Sequence, residues 1–375
     1  MKKIRVIFEP GNMEAFGEEG NKITDLAREI GVNIYKPCGG EGVCGKCRVI
    51  VENLSSKPNE KEQRVLSSEE INNNVRLACQ TPIEDDIVVK ILMDNDTYKA
   101  KMLSNKENLK NIHLKPFVKK EKIVLNLKET RGDISSISEV ITNAICRNNL
   151  EFDLKALQDA SSLYNPYSKD LAATVVYTED KILSIEDENN DVQYGVGVDI
   201  GTTTVVAYLV NIMEGEQIGI NSKLNPQIEY GDDVVTRINY INQNDDGLSK
   251  LNQLIVKTIN DQIYELCKDA NITNNSIYEV SIAANTTMHH IFTGTNPKSI
   301  GIGPYIPIFR ESSRIKASDL RLNINEAGLV TLLPNLSGYI GSDVVAGAYL
   351  TNISKSEKLK VIIDIGTNNE VILGN

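Results

Sequence analysis

The chain has 375 residues, of which 41% are hydrophobic, and a formal net charge of −11. That charge, with no basic tract anywhere, argues against nucleic-acid binding, and no apolar run is long enough to span a membrane. The opening MKKIRVIFEP is broken by Glu9 before a signal-peptide core could form, so a cytoplasmic protein of about two to four domains is expected. Residues 3–8 alternate apolar and polar like a strand. Ile23, Leu26, Ala27 and Ile30 then recur at helical spacing, and Gly31 is a natural stop.

The next segment carries the clearest chemistry. Cys38, Cys44 and Cys47 in KPCGGEGVCGKCRV, with Cys79 in RLACQT, make a C-x5-C-x2-C-x31-C pattern. Four thiolates on one loop plus a strand end are the ligand set of a ferredoxin-type [2Fe–2S] cluster. The first gap is one residue longer than the plant-type spacing and resembles the adrenodoxin-like branch. Gly39, Gly40, Gly42 and Gly45 suit a loop that must take positive φ and bring backbone N–H groups close to the sulfides. A structural zinc site and a disulfide pair are the competing readings; zinc sites usually show two short Cys pairs, and only Cys44 and Cys47 form one. With further strand-like runs in CRVIVE and DIVVKIL, residues 1–93 read as a β-grasp [2Fe–2S] ferredoxin domain.

Residues 94–118 are polar, lysine-rich and aperiodic, and are expected to be a linker that includes His113. Residues 119–190 read as a small middle α/β domain. It has a strand at KIVLNL, a helix faced by Ile137, Val140, Ile141, Ala144 and Ile145, a helix over 152–164, and a hairpin in ATVVYTEDKILSIEDE. It shows no convergent titratable set and is expected to be a spacer. The two remaining cysteines, Cys146 and Cys267, lie in apolar helical patterns and are expected to be buried structural thiols.

The last stretch contains a repeat. YGVGVDIGTTTVVAYLV at 194–210 and KVIIDIGTNNEVIL at 360–373 each place Asp-Ile-Gly-Thr between two strands. Gly and Thr in a tight turn expose donors that can cradle a phosphate, and an aspartate at the strand end can hold Mg²⁺ through water. No GxxxxGK[ST] and no helix-opening GxGxxG is present, and a plain structural hairpin is the alternative.

The paired DIGTTT and DIGTNN resemble the phosphate motifs of the actin, sugar-kinase and heat-shock-chaperone ATPases. The whole combination resembles the reductive activators of corrinoid proteins. NPQIEYGDDVVTRI (225–238), ANTTMHHIFTG (284–294), PNLSGYIGSDVVAGA (334–348), DIGTN (364–368) and RLACQT carry the closer likeness. The resemblance implies an α+β and α/β multidomain protein: the ferredoxin domain, the middle domain, and over 191–375 the first half of an actin-like (ribonuclease H-like) ATPase. It implies ATP-dependent transfer of one electron from the cluster to Co(II) of a corrinoid methyl-transfer protein, regenerating Co(I). Its cofactors would be a [2Fe–2S] cluster, ATP and Mg²⁺. An external low-potential electron donor is implied, and a homodimer is allowed for. Other outcomes are an ATP-coupled reductase of another acceptor, or a non-enzymatic electron-transfer or docking protein.

On that resemblance Cys38, Cys44, Cys47 and Cys79 ligate the cluster. Asp199 and Asp364 are the catalytic carboxylates near the metal, Gly201, Thr202, Thr203 and Thr204 face a phosphate, and Gly366, Thr367 and Asn368 mirror them across a cleft. Asn285 and Thr286, with Thr287, follow the strand VSIAA and could meet an anion, although helix capping explains them equally. Helix caps are also expected at Asp343 and at Asp232 or Asp233. His289 and His290 are adjacent and are expected to divide between core and surface. Family members continue past the second phosphate motif into a lobe with a Gly-rich adenosine motif, so a fragment or an incomplete gene product is expected.

Overall fold

A computed structural model describes residues 3–32, 34, 36, 38, 40–92, 114–126, 136–147, 150–165, 167–168, 170–187, 192–366 and 369–375. Most of the expected linker, with His113, and also Gly39, Thr367 and Asn368, lie outside the described residues.

The first unit comprises β1 (Ile4–Glu9), β2 (Met13–Gly17), α1 (Ile23–Glu29), β3 (Arg48–Glu52), α2 (Glu60–Val65), α3 (Ser68–Asn72), β4 (Val75–Leu77) and β5 (Ile87–Ile91). Its five-stranded sheet runs β2-β1-β5-β3-β4, with β1 and β5 parallel and the other neighbours antiparallel. Alternation in IRVIFE turns Ile4, Val6 and Phe8 inward. The helical spacing turns Ile23, Leu26 and Ala27 onto them. Fully burying a Val, Leu, Ile or Phe side chain is worth about 1.5–3 kcal/mol. Gly31 stands just past the helix at φ 77°, where a side chain would be strained. Capping boxes at Asn59 with Glu62 and Ser67 with Glu70 start α2 and α3.

The second unit comprises β6 (Lys119–Asn126), α4 (Ile137–Ala144), β7 (Glu151–Phe152), α5 (Leu154–Leu163), β8 (Asp170–Tyr177) and β9 (Lys181–Glu186), in a sheet ordered β6-β8-β9-β7. Ile141, Ala156, Ala160, Val175 and Ile182 share its core. Cys146 corrects the sequence expectation: α4 stops at Ala144, and Cys146 takes φ 51° beyond it and is exposed. The apolar stripe ends at Ile145, so the thiol falls off the helix face. Cys267 is buried as expected.

The third unit comprises β10 (Tyr194–Ile200), β11 (Thr204–Asn211), β12 (Glu216–Leu224), α6 (Val234–Gln243), α7 (Gly247–Asp269), β13 (Ile277–Ala284), α8 (Thr286–Thr293), β14 (Ser313–Lys316), β15 (Leu329–Leu332), α9 (Ser342–Leu350), β16 (Lys360–Ile365) and β17 (Asn369–Gly374). Its six-stranded sheet runs β12-β11-β10-β13-β15-β14. The β12-β11-β10 meander is antiparallel, and β13 and β15 then add parallel to β10. Helix α7 buries Leu251, Ile255, Ile259 and Ile263 against this sheet. The hairpin β16–β17 stands as its own two-stranded sheet.

The second unit is fastened to the third. Lys120 donates to the Tyr278 hydroxyl at 2.9 Å, and that hydroxyl donates to Glu186 at 2.8 Å. Tyr278 is fully buried and packs with Val118, Val176 and Leu183.

Candidate functional site

Cys38, Cys44 and Cys47 lie on the loop between α1 and β3, and Cys79 follows β4. Their sulfurs come together as two pairs, Cys38 with Cys44 at 3.2 Å and Cys47 with Cys79 at 3.3 Å. The loop makes this turn through Gly40, Gly42 and Gly45, at φ 95°, 77° and 65°. A side chain at Gly42 would also meet Gln80, whose amide donates to the Gly40 carbonyl at 2.6 Å.

A buried ion pair fixes the strand that delivers Cys79. Glu62 and Arg76 are 0% and 5% exposed, and Arg76 grips the carboxylate through two bonds of 2.9 Å. The same carboxylate accepts from the Leu77 N–H and the Thr81 hydroxyl, on either side of Cys79. Burial opposes its ionisation, but Arg76 and the backbone donors outweigh that and hold it below the usual carboxylate range. Neither residue stands out in the sequence, because only packing makes an ordinary Glu and Arg into a buried pair.

The thiols are electrostatically unequal. Cys79 is pushed down to about 6, foremost by the hydrogen bond from Cys47, and secondarily by Gln80, Lys22 and Lys36. Its partner Cys47 is driven upward by the same bond. Cys38 is lowered although burial opposes it, because backbone N–H groups of the loop point at its sulfur. Two close thiol pairs suit a two-iron cluster with one pair on each iron, whereas a single zinc draws four ligands round one point. Among the described residues, no three His, Cys, Asp or Glu side chains gather as a single-ion site.

The first Asp-Ile-Gly-Thr turn joins β10 to β11. Gly201 N–H donates to Thr204 O at 2.9 Å, and a Cβ on Gly201 would lie 2.7 Å from that oxygen, so glycine is required. Three sequence segments converge behind the turn. From 225–238, Asn225 is fully buried and donates to the Gly201 carbonyl at 2.9 Å. Arg237, also fully buried, donates to the Thr202 carbonyl, to Gly231 O at 2.9 Å and to Gln227 at 3.1 Å. From 284–294, Asn285 caps α8 by accepting from Met288 N–H at 2.9 Å, while its amide donates to the Thr202 hydroxyl at 3.1 Å. It therefore caps and touches the turn at once. Thr286 is buried, and its hydroxyl donates to Ser337 O.

The third segment, 334–348, locks the base of α8. Ser342 bonds both the N–H and the carbonyl of Ala284, and Asn335 accepts from Ser342 N–H at 3.1 Å. His289 and His290 correct the expectation of one surface residue, since both are 0% exposed. Asn335 donates to His289 Nδ1, leaving Nε2–H to donate to Ile282 O. Ile308 N–H donates to His290 Nε2, so its Nδ1–H donates to Thr286 O. Both rings are held neutral, and burial pushes His289 down to about 4. Asp233 caps α6 as expected. Asp343 is not the cap of α9; Gly341 holds that position, and Asp343 sits in the first turn. The physical reason is close approach: a side chain at Gly341 would collide with Asn285 Cα and Ala284 O.

Asp343 belongs instead to an acidic group. The carboxyl of Asp199, near the end of β10, is pushed up to about 7 by burial first, then by Asp343 and Asp364. One face of Asp199 remains open to solvent, so its desolvation is partial. Asp343 and Glu370 are raised for the same reasons, burial and neighbouring carboxylates. The two hairpins thus turn acids toward one space, with Asp364 opposite Glu370 in the β16–β17 register. Gly366 is exposed at the tip of that second hairpin.

Residues 8–84 match the 2Fe-2S iron-sulfur cluster binding domain, and residues 194–356 match the RACo middle region. The corrinoid activation enzyme RamQ of Eubacterium limosum is 29% identical over 99% of this chain and 59% of its own length. A solved structure described as a reductive activator for corrinoid, iron-sulfur protein superposes with TM-score 0.65 at 30% identity, covering 99% of this chain and 61% of that one. A component of the Na(+)-translocating NADH-quinone reductase of Chlamydia trachomatis is 26% identical over 74 residues, 20% of this chain and 17% of that protein. The chain spans about three fifths of the length of the two relatives it matches end to end. It is a mixed α/β multidomain chain with a [2Fe–2S] domain, similar throughout to corrinoid-activating proteins.

Proposed function

We propose that this protein is an ATP-dependent reductive activator of a corrinoid protein, working in the cytoplasm and restoring Co(I) from inactive Co(II). The carrying observation is the union, on one chain, of a two-pair thiol site and a phosphate-type turn buttressed by buried Asn225 and Arg237 and by half-buried Asn285. End-to-end similarity to proteins named for that activity supports the reading.

Cys38, Cys44, Cys47 and Cys79 hold the cluster, which when bound supplies one electron at a time. Gly201 makes the tight turn from which Thr202, Thr203 and Thr204 offer N–H and hydroxyl donors to phosphate oxygens, with Asn285 and Thr286 at the mouth of α8. Gly366, on the second hairpin, is assigned to the same phosphates, as are Thr367 and Asn368 of the second Asp-Ile-Gly-Thr motif. Asp199 and Asp364 would hold Mg²⁺ through water, and a cation there would relieve the crowding of carboxylates that, after burial, raises Asp199. Cobalt(II) is hard to reduce, and each 100 mV uphill costs roughly 2.3 kcal/mol for one electron. Nucleotide binding offsets that only by favouring an arrangement in which reduced cobalt is stabilised. A low-potential donor outside the chain re-reduces the cluster.

The test is an anaerobic visible assay. The native protein, an electron donor and Co(II) corrinoid proteins from the same cells are mixed with and without Mg-ATP. A Co(I) band that grows only with Mg-ATP is expected. Cluster reduction without any nucleotide-dependent Co(I) would leave a plain electron carrier.

A further inference from the structure

The thiol pairs differ in depth. Cys47 and Cys79 are buried, while Cys38 and Cys44 are partly open, and Val43 beside Cys44 is 70% exposed. Charge around this opening runs against the acidic balance of the chain. Within residues 36–48 the charged side chains are Lys36, Lys46, Arg48 and Glu41. Arg48 is turned to Glu70 at 2.8 Å, and Glu41 lies 3.9 Å from Lys61. Lys36 and Lys46 have no carboxylate within ion-pair distance among the described residues. Lys22 joins them, because its bridge to Pro82 sets it beside the Cys79 turn. An apolar centre with a cationic rim is thus placed over the shallow sulfur pair. It is small, which suits a transient electron-exchange encounter, and its sign selects the partner.

We infer that the external electron donor docks over Val43 through an acidic surface, steered by Lys36 and Lys46. This rests on the proposed function in assuming that the domain exchanges electrons with a separate protein. The donor loses one electron and one Fe(III) of the cluster becomes Fe(II), with no proton or bond transferred.

The test uses the full chain with its cluster, and flavodoxin hydroquinone as an acidic one-electron probe. Two quantities are read: binding of dye-labelled oxidised flavodoxin by anisotropy, and the stopped-flow rate of cluster reduction. Wild type is expected to lose affinity steeply between about 50 and 500 mM salt. Combined Lys36→Glu and Lys46→Glu should weaken binding and slow reduction at least about tenfold at low salt, with little difference at high salt. A control pair, Lys355→Glu with Lys358→Glu, makes the same charge change far along the chain at exposed positions. It should leave both readouts within about twofold, since neither lysine belongs to the thiol loop or to the charges named around it. An unchanged visible spectrum shows that the rim variant keeps its cluster.

Equal loss in both pairs, or none in either, overturns the inference. If the rim variant binds normally while Mg-ATP-dependent Co(I) formation persists, docking lies elsewhere and the proposed function stands. If wild type makes no Co(I), that function fails whatever the rim does.

Discussion

The thiol loop and the first Asp-Ile-Gly-Thr turn are built in different ways. In the first unit the reactive atoms are side chains, three of them on one loop, and their glycine neighbours bend that loop locally. In the third unit the groups that are held are mostly backbone, and what holds them is remote: Asn225, Arg237 and Asn285 reach the turn from segments 24 to 83 residues away. One site therefore breaks at its ligands and the other at its supports. A second contrast lies within the third unit. The β10–β11 hairpin is walled into a six-stranded sheet, whereas β16–β17 shows Val361, Ile363, Val371 and Leu373 on an open face.

Loss of a ligand should have the most drastic outcome. Replacing Cys79 or Cys44 by Ser should abolish the visible cluster absorption, with far-UV circular dichroism little changed. Replacing Cys146 by Ser should leave the spectrum as it was, because that thiol is exposed and away from the loop.

Next comes Arg237→Met. It strips buried donors from the Thr202, Gly231 and Gln227 oxygens, and it should cost about 4 kcal/mol in denaturant unfolding. Nucleotide affinity should fall at least about tenfold, because the Thr202 carbonyl that Arg237 holds belongs to the turn. Val371→Ser on the open hairpin should stay within about 0.5 kcal/mol. Equal losses at both positions would dissolve the contrast between walled and open hairpins.

Acid should find the same supports. His289 is held neutral at about 4, below its unfolded value, so its contribution is complete above the unfolded pKa and is lost as pH falls toward 4. Up to about 3 kcal/mol should disappear from the third unit between about pH 6.5 and 4. Thermal melts of His289→Asn should show a flatter acid limb.

A weaker effect at Asp199 has the opposite sign. This carboxyl titrates near 7, above its unfolded value, so the folded form binds the extra proton and stability falls as pH rises from about 4 to 7. Asp199→Asn should gain about 1 kcal/mol at pH 8 and nothing at pH 4, the figure being discounted for the open face of Asp199. Mg²⁺ should stabilise wild type at pH 8 and not this variant.

Sequence spacing reveals the thiol site because its ligands are of a rare type and mostly local. It also reveals both hairpins, since strand, Asp-Ile-Gly-Thr and strand are contiguous. It does not reveal β2, β4, α2 or α3, whose apolar patterns are too short to stand out. In the bare sequence Arg237 resembles a surface residue of an amphipathic helix, and His290 half of a divided pair. Only convergence of Asn335, Ile308 and Ser342 on that helix makes both histidines core. Asp343 reads as a cap because helix starts favour aspartate, but its neighbour Gly341 has to meet Asn285 closely.

A single turnover separates nucleotide-driven activation from simple electron carriage. The cluster is reduced, the donor removed, and the protein mixed anaerobically with a Co(II) corrinoid protein before Mg-ATP is added. One Co(I) should appear for each reduced cluster that reoxidises, only after Mg-ATP, and not with Arg237→Met. A cluster that stays reduced with Mg-ATP, or Co(I) that forms equally well without nucleotide, would contradict the activator reading.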